Sequence, residues 1–139
     1  MPNPVSLTIN PGENTGLVTG HITGTTNAGL THQAKVAVID ATGKVVARGI
    51  FQGEGKNNEP LSLLEGGSIL SYSNARLPLA LYVQFNYSNS GSFIQNDPDN
   101  VVASQLFDTG KVEVVQMISE DNIGNSFNDL VLTSFNIKH

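Results

Sequence analysis

From Leu79 to Tyr87 the chain alternates residue by residue, with Leu79, Leu81, Val83, Phe85 and Tyr87 on one side and Ala80, Tyr82, Gln84 and Asn86 on the other. Successive side chains of an extended backbone point to opposite faces, so this two-residue period makes one apolar face only in a β-strand. Similar short runs occur at Val5 to Ile9, Leu17 to Thr23, Lys35 to Ile39, Lys44 to Phe51, Leu61 to Tyr72, Val101 to Phe107, Lys111 to Ser119 and Leu130 to Ile137. No stretch shows apolar spacing for a helix of three turns. About nine strands without a helix leave a β-sandwich or a barrel.

The connections follow from backbone chemistry. Asp40-Ala41-Thr42-Gly43 joins two of the runs, and its glycine can take the positive φ that a hairpin turn commonly needs, so the flanking strands are expected to pair. The Gly, Asn, Ser and Pro content of Asn10 to Asn14, Gly24 to Gly29, Gln52 to Pro60 and Ser88 to Asn100 predicts loops, with Gly53-Glu54-Gly55 as a loop tip. Phe85, Tyr87 and Phe135 are expected in the core, and Phe127 is expected to plug the loop that contains it.

Size and charge narrow the function classes. A chain of 139 residues is one domain in length and can bury a core without a disulfide or metal staple. It has no Cys, which excludes a thiol nucleophile and a thiolate zinc site. Twelve acidic against seven scattered basic residues give a net charge of −5, which argues against a phosphate-tracking surface and hence against nucleic acid as a partner. No apolar run reaches the roughly 18 residues of a membrane-spanning helix. Met1-Pro2-Asn3-Pro4 has neither the basic segment nor the apolar core of a secretion signal.

The most informative segment runs from Ser119 to Val131 and contains Glu120, Asp121, Asn122, Gly124, Asn125, Ser126, Asn128 and Asp129. Three carboxylates, amide oxygens and a hydroxyl lie between two strand-like runs, with a glycine that permits a sharp bend. Calcium collects six to eight such hard oxygens at about 2.3–2.6 Å from side chains and carbonyls of a loop. A solvated turn has the same composition, so the residues alone leave both readings open.

The pattern Glu120-Asp121, a gap, then Asn125-Ser126-Phe127-Asn128-Asp129 before an apolar strand resembles the calcium-binding loop of the bacterial fucose/mannose-binding lectins of the PA-IIL (LecB) type. The likeness extends to ten residues between the last loop aspartate and His139, to Lys111 to Ser119 as the strand leading into the loop, and to Val18 to Val38 as an early hairpin. The resemblance implies that Glu120, Asn128 and Asp129 are metal ligands and that Asp121 meets sugar hydroxyls. It further implies that the His139 carboxylate completes the calcium site of a neighbouring protomer, which makes the protein a homodimer or a higher homo-oligomer. It places the sugar-facing loop at Gly24 to Gly29, with Thr25, Thr26 and Asn27 in contact with the ligand, and gives Ser126 a hydroxyl to offer. The lectins it resembles act outside the cell without a conventional leader, so an exterior location is implied too.

Two departures from that family bear on metal count. Gly124 and Ser126 stand where its members usually have aspartate ligands. Two calcium ions bring four positive charges, whereas Glu120, Asp129 and a partner's terminal carboxylate supply three negative ones, and Asp121 would have to be recruited for a fourth. Unneutralised like charges at short range are costly. One weakly held ion, or none, satisfies the count better than two.

Other chemistry has less support. His21, His32 and His139 lack zinc spacing. Asp97 and Asp99 adjoin one turn, which does not supply the opposed geometry of a glycosidase pair. No phosphate-cradling glycine loop precedes a helix, so no enzyme activity is expected. The sequence reading is therefore an all-β, antiparallel β-sandwich of about nine strands, a single domain over 1–139. It is expected to bind a fucose- or mannose-like monosaccharide through calcium. A rival reading keeps the sandwich and drops the metal, leaving a structural or protein-interaction module related to lectins in fold only.

Overall fold

A computed structural model describes residues 5–88, 92–95, 101–119 and 129–139, apart from the side chain of Lys56. The described strands are β1 (Val5–Ile9), β2 (Leu17–Ile39), β3 (Val45–Pro60), β4 (Ser62–Leu63), β5 (Leu70–Arg76), β6 (Leu79–Ser88), β7 (Phe93–Gln95), β8 (Val101–Asp108), β9 (Val112–Ser119) and β10 (Leu130–Lys138). All pair antiparallel in one sheet along the path β1-β6-β2-β10-β9-β8, with β3 and β5 on β2, β4 on β3 and β7 on β6.

The 23-residue β2 makes two layers out of this sheet. Its first half pairs with β10 and β5, and its second half pairs with β6 and β3. Between the halves the β3 register slips at Thr26/Ala28 and again at Ala28/His32. Such slips bend a strand and raise its local twist, which lets one strand serve both layers. On either side of the bend, even-numbered β2 residues face inward: Val18, Ile22, Ala34, Val36 and Val38 are buried in one core with Leu130 and Leu132 from β10, Val115 and Met117 from β9, and Leu79, Leu81, Val83 and Phe85 from β6. Layered antiparallel sheets around a single core are the sandwich the alternation predicts.

Several boundaries depart from the sequence reading. Gly24 to Gly29 is not a turn, because it lies inside β2. A Cβ on Gly24 would come within 2.7 Å of side-chain carbons of Leu61 and Leu132, so this glycine answers close packing rather than a turn. Gln52 to Pro60, including Gly53-Glu54-Gly55, belongs to β3 and not to a loop. Leu61 to Tyr72 is interrupted, with Gly66 and Gly67 at φ of 113° and 78° between β4 and β5. Part of Ser88 to Asn100 is strand β7. The Asp40 turn is as expected: Ile39 pairs with Val45, Gly43 has φ 87°, and the Asp40 carboxylate accepts from the Thr42 hydroxyl at 2.6 Å and from the Thr42 and Lys44 amides at 2.9 and 3.1 Å. The Thr42 hydroxyl contact, helped by those amides, holds the Asp40 carboxyl below its ordinary range.

Candidate functional site at the base of the β9–β10 connection

β9 and β10 pair from Val112 opposite Ile137 up to Ser119 opposite Leu130, so the chain between Ser119 and Leu130 is the connection that closes this hairpin. Asp129 stands at its base and is 9% exposed. Its carbonyl accepts the Thr26 hydroxyl at 2.7 Å and the Asn27 amide at 3.1 Å, which clamps the entry to β10 onto the bend of β2. Across the hairpin Ser119 is fully buried, and its Oγ has no hydrogen-bond partner among the described residues. A buried hydroxyl left unpaired is destabilising, and Ser119, opposite the inward-facing Leu130, is a polar group that the described residues leave unanswered at this end of the hairpin.

The residues singled out in the sequence divide as follows. Thr26, Asn27 and Asp129 are brought together by direct hydrogen bonds. Thr26 is fully buried and its hydroxyl is turned to Asp129, so within this chain it positions the connection instead of facing outward. Thr25 lies beside them, paired with Val131 on one side and Pro60 on the other. Glu120, Asp121, Ser126, Phe127 and Asn128 lie outside the described residues, as do Asp97 and Asp99. No group of three or more His, Asp or Glu converges among the described residues.

His139 lies at the opposite end of β10. Nine strand residues separate it from Asp129, roughly 30 Å of extended chain, so the two cannot meet at one ion within a protomer. Its carbonyl accepts the Gly16 and Leu17 amides at 3.0 and 2.9 Å, its amide donates to the Leu17 carbonyl at 2.8 Å, and its Nε2 is 3.1 Å from the Thr19 hydroxyl.

No family model and no curated protein matches the sequence. Solved structures do match. The Chromobacterium violaceum lectin CV2L, in complex with alpha-methyl-fucoside, superposes with a TM-score of 0.60 at 18% identity over 96% of each chain. A high-affinity mannose-binding lectin from Ralstonia solanacearum gives 0.60 at 18% identity over 94% of this chain and 93% of its own. The C-terminal domain of the BC2L-C lectin from Burkholderia cenocepacia gives 0.57 at 18% identity over 97% of both. The chain has a lectin fold. At this identity the match is one of architecture, carried by strand order and core packing.

Within this lectin fold the two ends of β10 are built differently. Near Asp129 the inward residues are Leu130 and Leu132, whereas toward His139 they are Ser134, Asn136 and Lys138, all buried. The Tyr72 hydroxyl bonds Ser134 at 3.1 Å and donates to Asn136 Oδ1, and Asn136 Nδ2 reaches Ser134 Oγ at 2.9 Å and the Glu113 carbonyl at 3.3 Å. Burial pushes the Tyr72 phenol up to about 12, against the lowering pull of Ser134. Lys138 Nζ lies 2.7 Å from Glu113 and 3.6 Å from Asp108, with Gln105 donating to Glu113 at 2.9 Å. This end is closed by satisfied polar pairs, while at the Asp129 end the Ser119 hydroxyl has no partner among the described residues.

The sequence reading named Ser119 only as the end of a strand and the start of the oxygen-rich segment, with no role of its own. Nothing in a single serine announces that its hydroxyl will be buried without a partner. Phe135, expected in the core, faces outward and is 46% exposed, because its odd place in β10 opposes the buried even positions. It stacks on His21 at 5.6 Å.

Proposed function

We propose that this protein is a non-enzymatic, carbohydrate-binding lectin that grips a fucose- or mannose-like monosaccharide through calcium held by the 120–129 segment. The observation that carries this reading is the superposition, over nearly the whole chain, on a lectin in complex with a methyl-fucoside and on a mannose-binding lectin. The donor set is in keeping with it: Glu120 and Asn128 adjoin Ser119 and Asp129 in sequence, and the buried Ser119 hydroxyl has no partner among the described residues. In this reading Glu120, Asn128 and Asp129 hold the ion, and Asp121, Ser126, Thr25 and Asn27 meet sugar hydroxyls. Thr26 fixes the Asp129 backbone. The calcium ion, when bound, supplies direct coordination to vicinal sugar hydroxyls. The charge count favours one ion over two.

A second copy completes the proposal. Phe107, Val114, Phe135 and His21 form one register-aligned row across the outer face of β8, β9, β10 and β2, and Ile137 extends it at 59% exposure. An apolar face of this kind suits a homodimer, and a dimer lets the partner's His139 approach the Asp129 end. Paired sites also give avidity to shallow sugar pockets.

The deciding experiment is thermal melting with calcium and then with chelator, followed by titration of methyl-fucoside and methyl-mannoside in each state. An ion at about 100 times its dissociation constant stabilises by about 2.7 kcal/mol, which shifts the midpoint upward. Coincident melting curves overturn the calcium site, and sugar binding that survives the chelator assigns the saccharide to a metal-free surface.

A further inference from the structure

The outer face of the other layer carries a hollow of about 360 Å³ that the proposed site does not use. It lies beyond the bend of β2, nine residues along the strand from Thr26. Its floor is the small side chain of Ala37, which pairs with Arg48 of β3 on one side and Tyr82 of β6 on the other. Two residues along the same face, Lys35 pairs with Ile50 and Gln84. Glu65 lies over Gly49 at the rim. A one-carbon side chain ringed by long ones produces the depression, so the hollow follows from sequence and register together.

The charges in it run against the rest of the molecule. The chain carries −5 overall on only seven Lys and Arg, yet two of those seven line this hollow beside one carboxylate. Among the described residues no ion pair engages Lys35 or Arg48. Gln84 is oriented by a directional amide relay, in which Gln84 Nε2 donates to Asn86, Asn86 to Gln33 and Gln33 to Gln52 at 3.2, 3.0 and 3.1 Å. That relay uses one of the two Gln84 N–H donors and sets its Oε1 as an acceptor. Tyr82, 39% exposed, presents a ring to the opening.

We propose that this hollow is a second, calcium-independent binding site for a saccharide bearing a carboxylate, a hexuronate unit. Lys35 and Arg48 bind the carboxylate, and Arg48 can hold it with two donors. Gln84 Oε1 and Glu65 accept sugar hydroxyls, and the Tyr82 ring receives the apolar face of the pyranose. The volume lies at the lower end of small-ligand pockets, which suits a single sugar unit. A neutral sugar leaves the two cations unanswered, and a bare anion leaves the ring and the acceptors unused. The site adds to the lectin reading without depending on its calcium.

The test is titration of the full chain with glucuronate and galacturonate at low ionic strength in the presence of chelator, followed by calorimetry or amide NMR, with glucose and acetate as controls. Uronate binding with a dissociation constant on the order of a millimolar is expected. Arg48→Gln, Lys35→Gln and Tyr82→Ala should each weaken it about tenfold. These exposed substitutions spare the core, and Arg48→Gln should leave calcium-dependent mannoside binding unchanged. Absence of uronate binding, equal binding of acetate or glucose, or indifference to all three variants overturns the site. Uronate binding that disappears with chelator moves the acid to the calcium loop, refuting this site while leaving the lectin reading intact.

Discussion

The Thr26 hydroxyl donates a 2.7 Å hydrogen bond to the Asp129 carbonyl across 103 residues of sequence, and both residues are buried. With the Asn27 amide on the same carbonyl, it ties the base of the β9–β10 connection to the bend of the strand shared by both layers. Thr26→Val keeps the shape and removes the donor. Stability should fall by about 1 kcal/mol in urea denaturation, and the calcium-induced rise in melting midpoint should shrink. A full calcium response in a destabilised Thr26→Val protein would show that the clamp serves folding alone.

Tyr72 gives a pH signature. Its phenol is pushed up to about 12 by burial, whereas in the unfolded chain it titrates near 10. Above pH 10 the unfolded state therefore binds fewer protons than the native one, and stability falls as pH rises toward 12. The contribution is fully present below pH 10. Denaturation between pH 8 and 12 should show this loss in the native sequence and a shallower one in Tyr72→Phe; identical slopes would remove Tyr72 as the cause. Tyr72→Phe should also be about 1–2 kcal/mol less stable at neutral pH, since Ser134 and Asn136 lose a buried partner.

Glu113 and Lys138 form a buried ion pair at 2.7 Å. Removing one member leaves the other charge in a dry site, so Glu113→Ala should destabilise by about 3–5 kcal/mol. Replacing both, as in Glu113→Leu with Lys138→Met, should recover most of that loss. A double variant as unstable as the single one would mean that the pair's hydrogen bonds to Gln105 and its contact with Asp108 carry the stability instead.

Phe135 tests the proposed dimer. At 46% exposure, stacked on His21 and flanked across β9 by Val114 and then Phe107, it is the centre of the outer apolar row. Phe135→Asp should convert the dimer to a monomer in sedimentation velocity while the melting midpoint of the dilute protein changes little. A wild-type chain that sediments as a monomer at all concentrations would remove this interface.

Much of the architecture was legible because alternation is a local property. Leu79, Leu81, Val83 and Phe85 are buried as their spacing required, and the Asp40 to Gly43 turn closes the hairpin its residues predicted. Gly24 was misread because glycine serves both turns and close approaches; only Leu61 and Leu132, distant in sequence, distinguish the two uses. Phe135 was misread because a large ring suggests a core, while its place in the β10 alternation put it outside. Of the candidate site, Asp129 was legible as an oxygen donor beside a strand, and Ser119 was not.

The amino-acid order by itself determined an all-β chain, its hairpin at Asp40 and an oxygen-rich segment between two strands, since strand period, turn chemistry and ligand type depend on neighbours a few residues apart. The tertiary structure decided that β2 runs unbroken from one layer to the other, that Thr26 meets Asp129, that Ser119 is buried with no partner among the described residues, and that Arg48, Lys35 and Tyr82 ring Ala37. Each of these depends on the register between strands remote in sequence, and that register is fixed by the shared burial of side chains in one core.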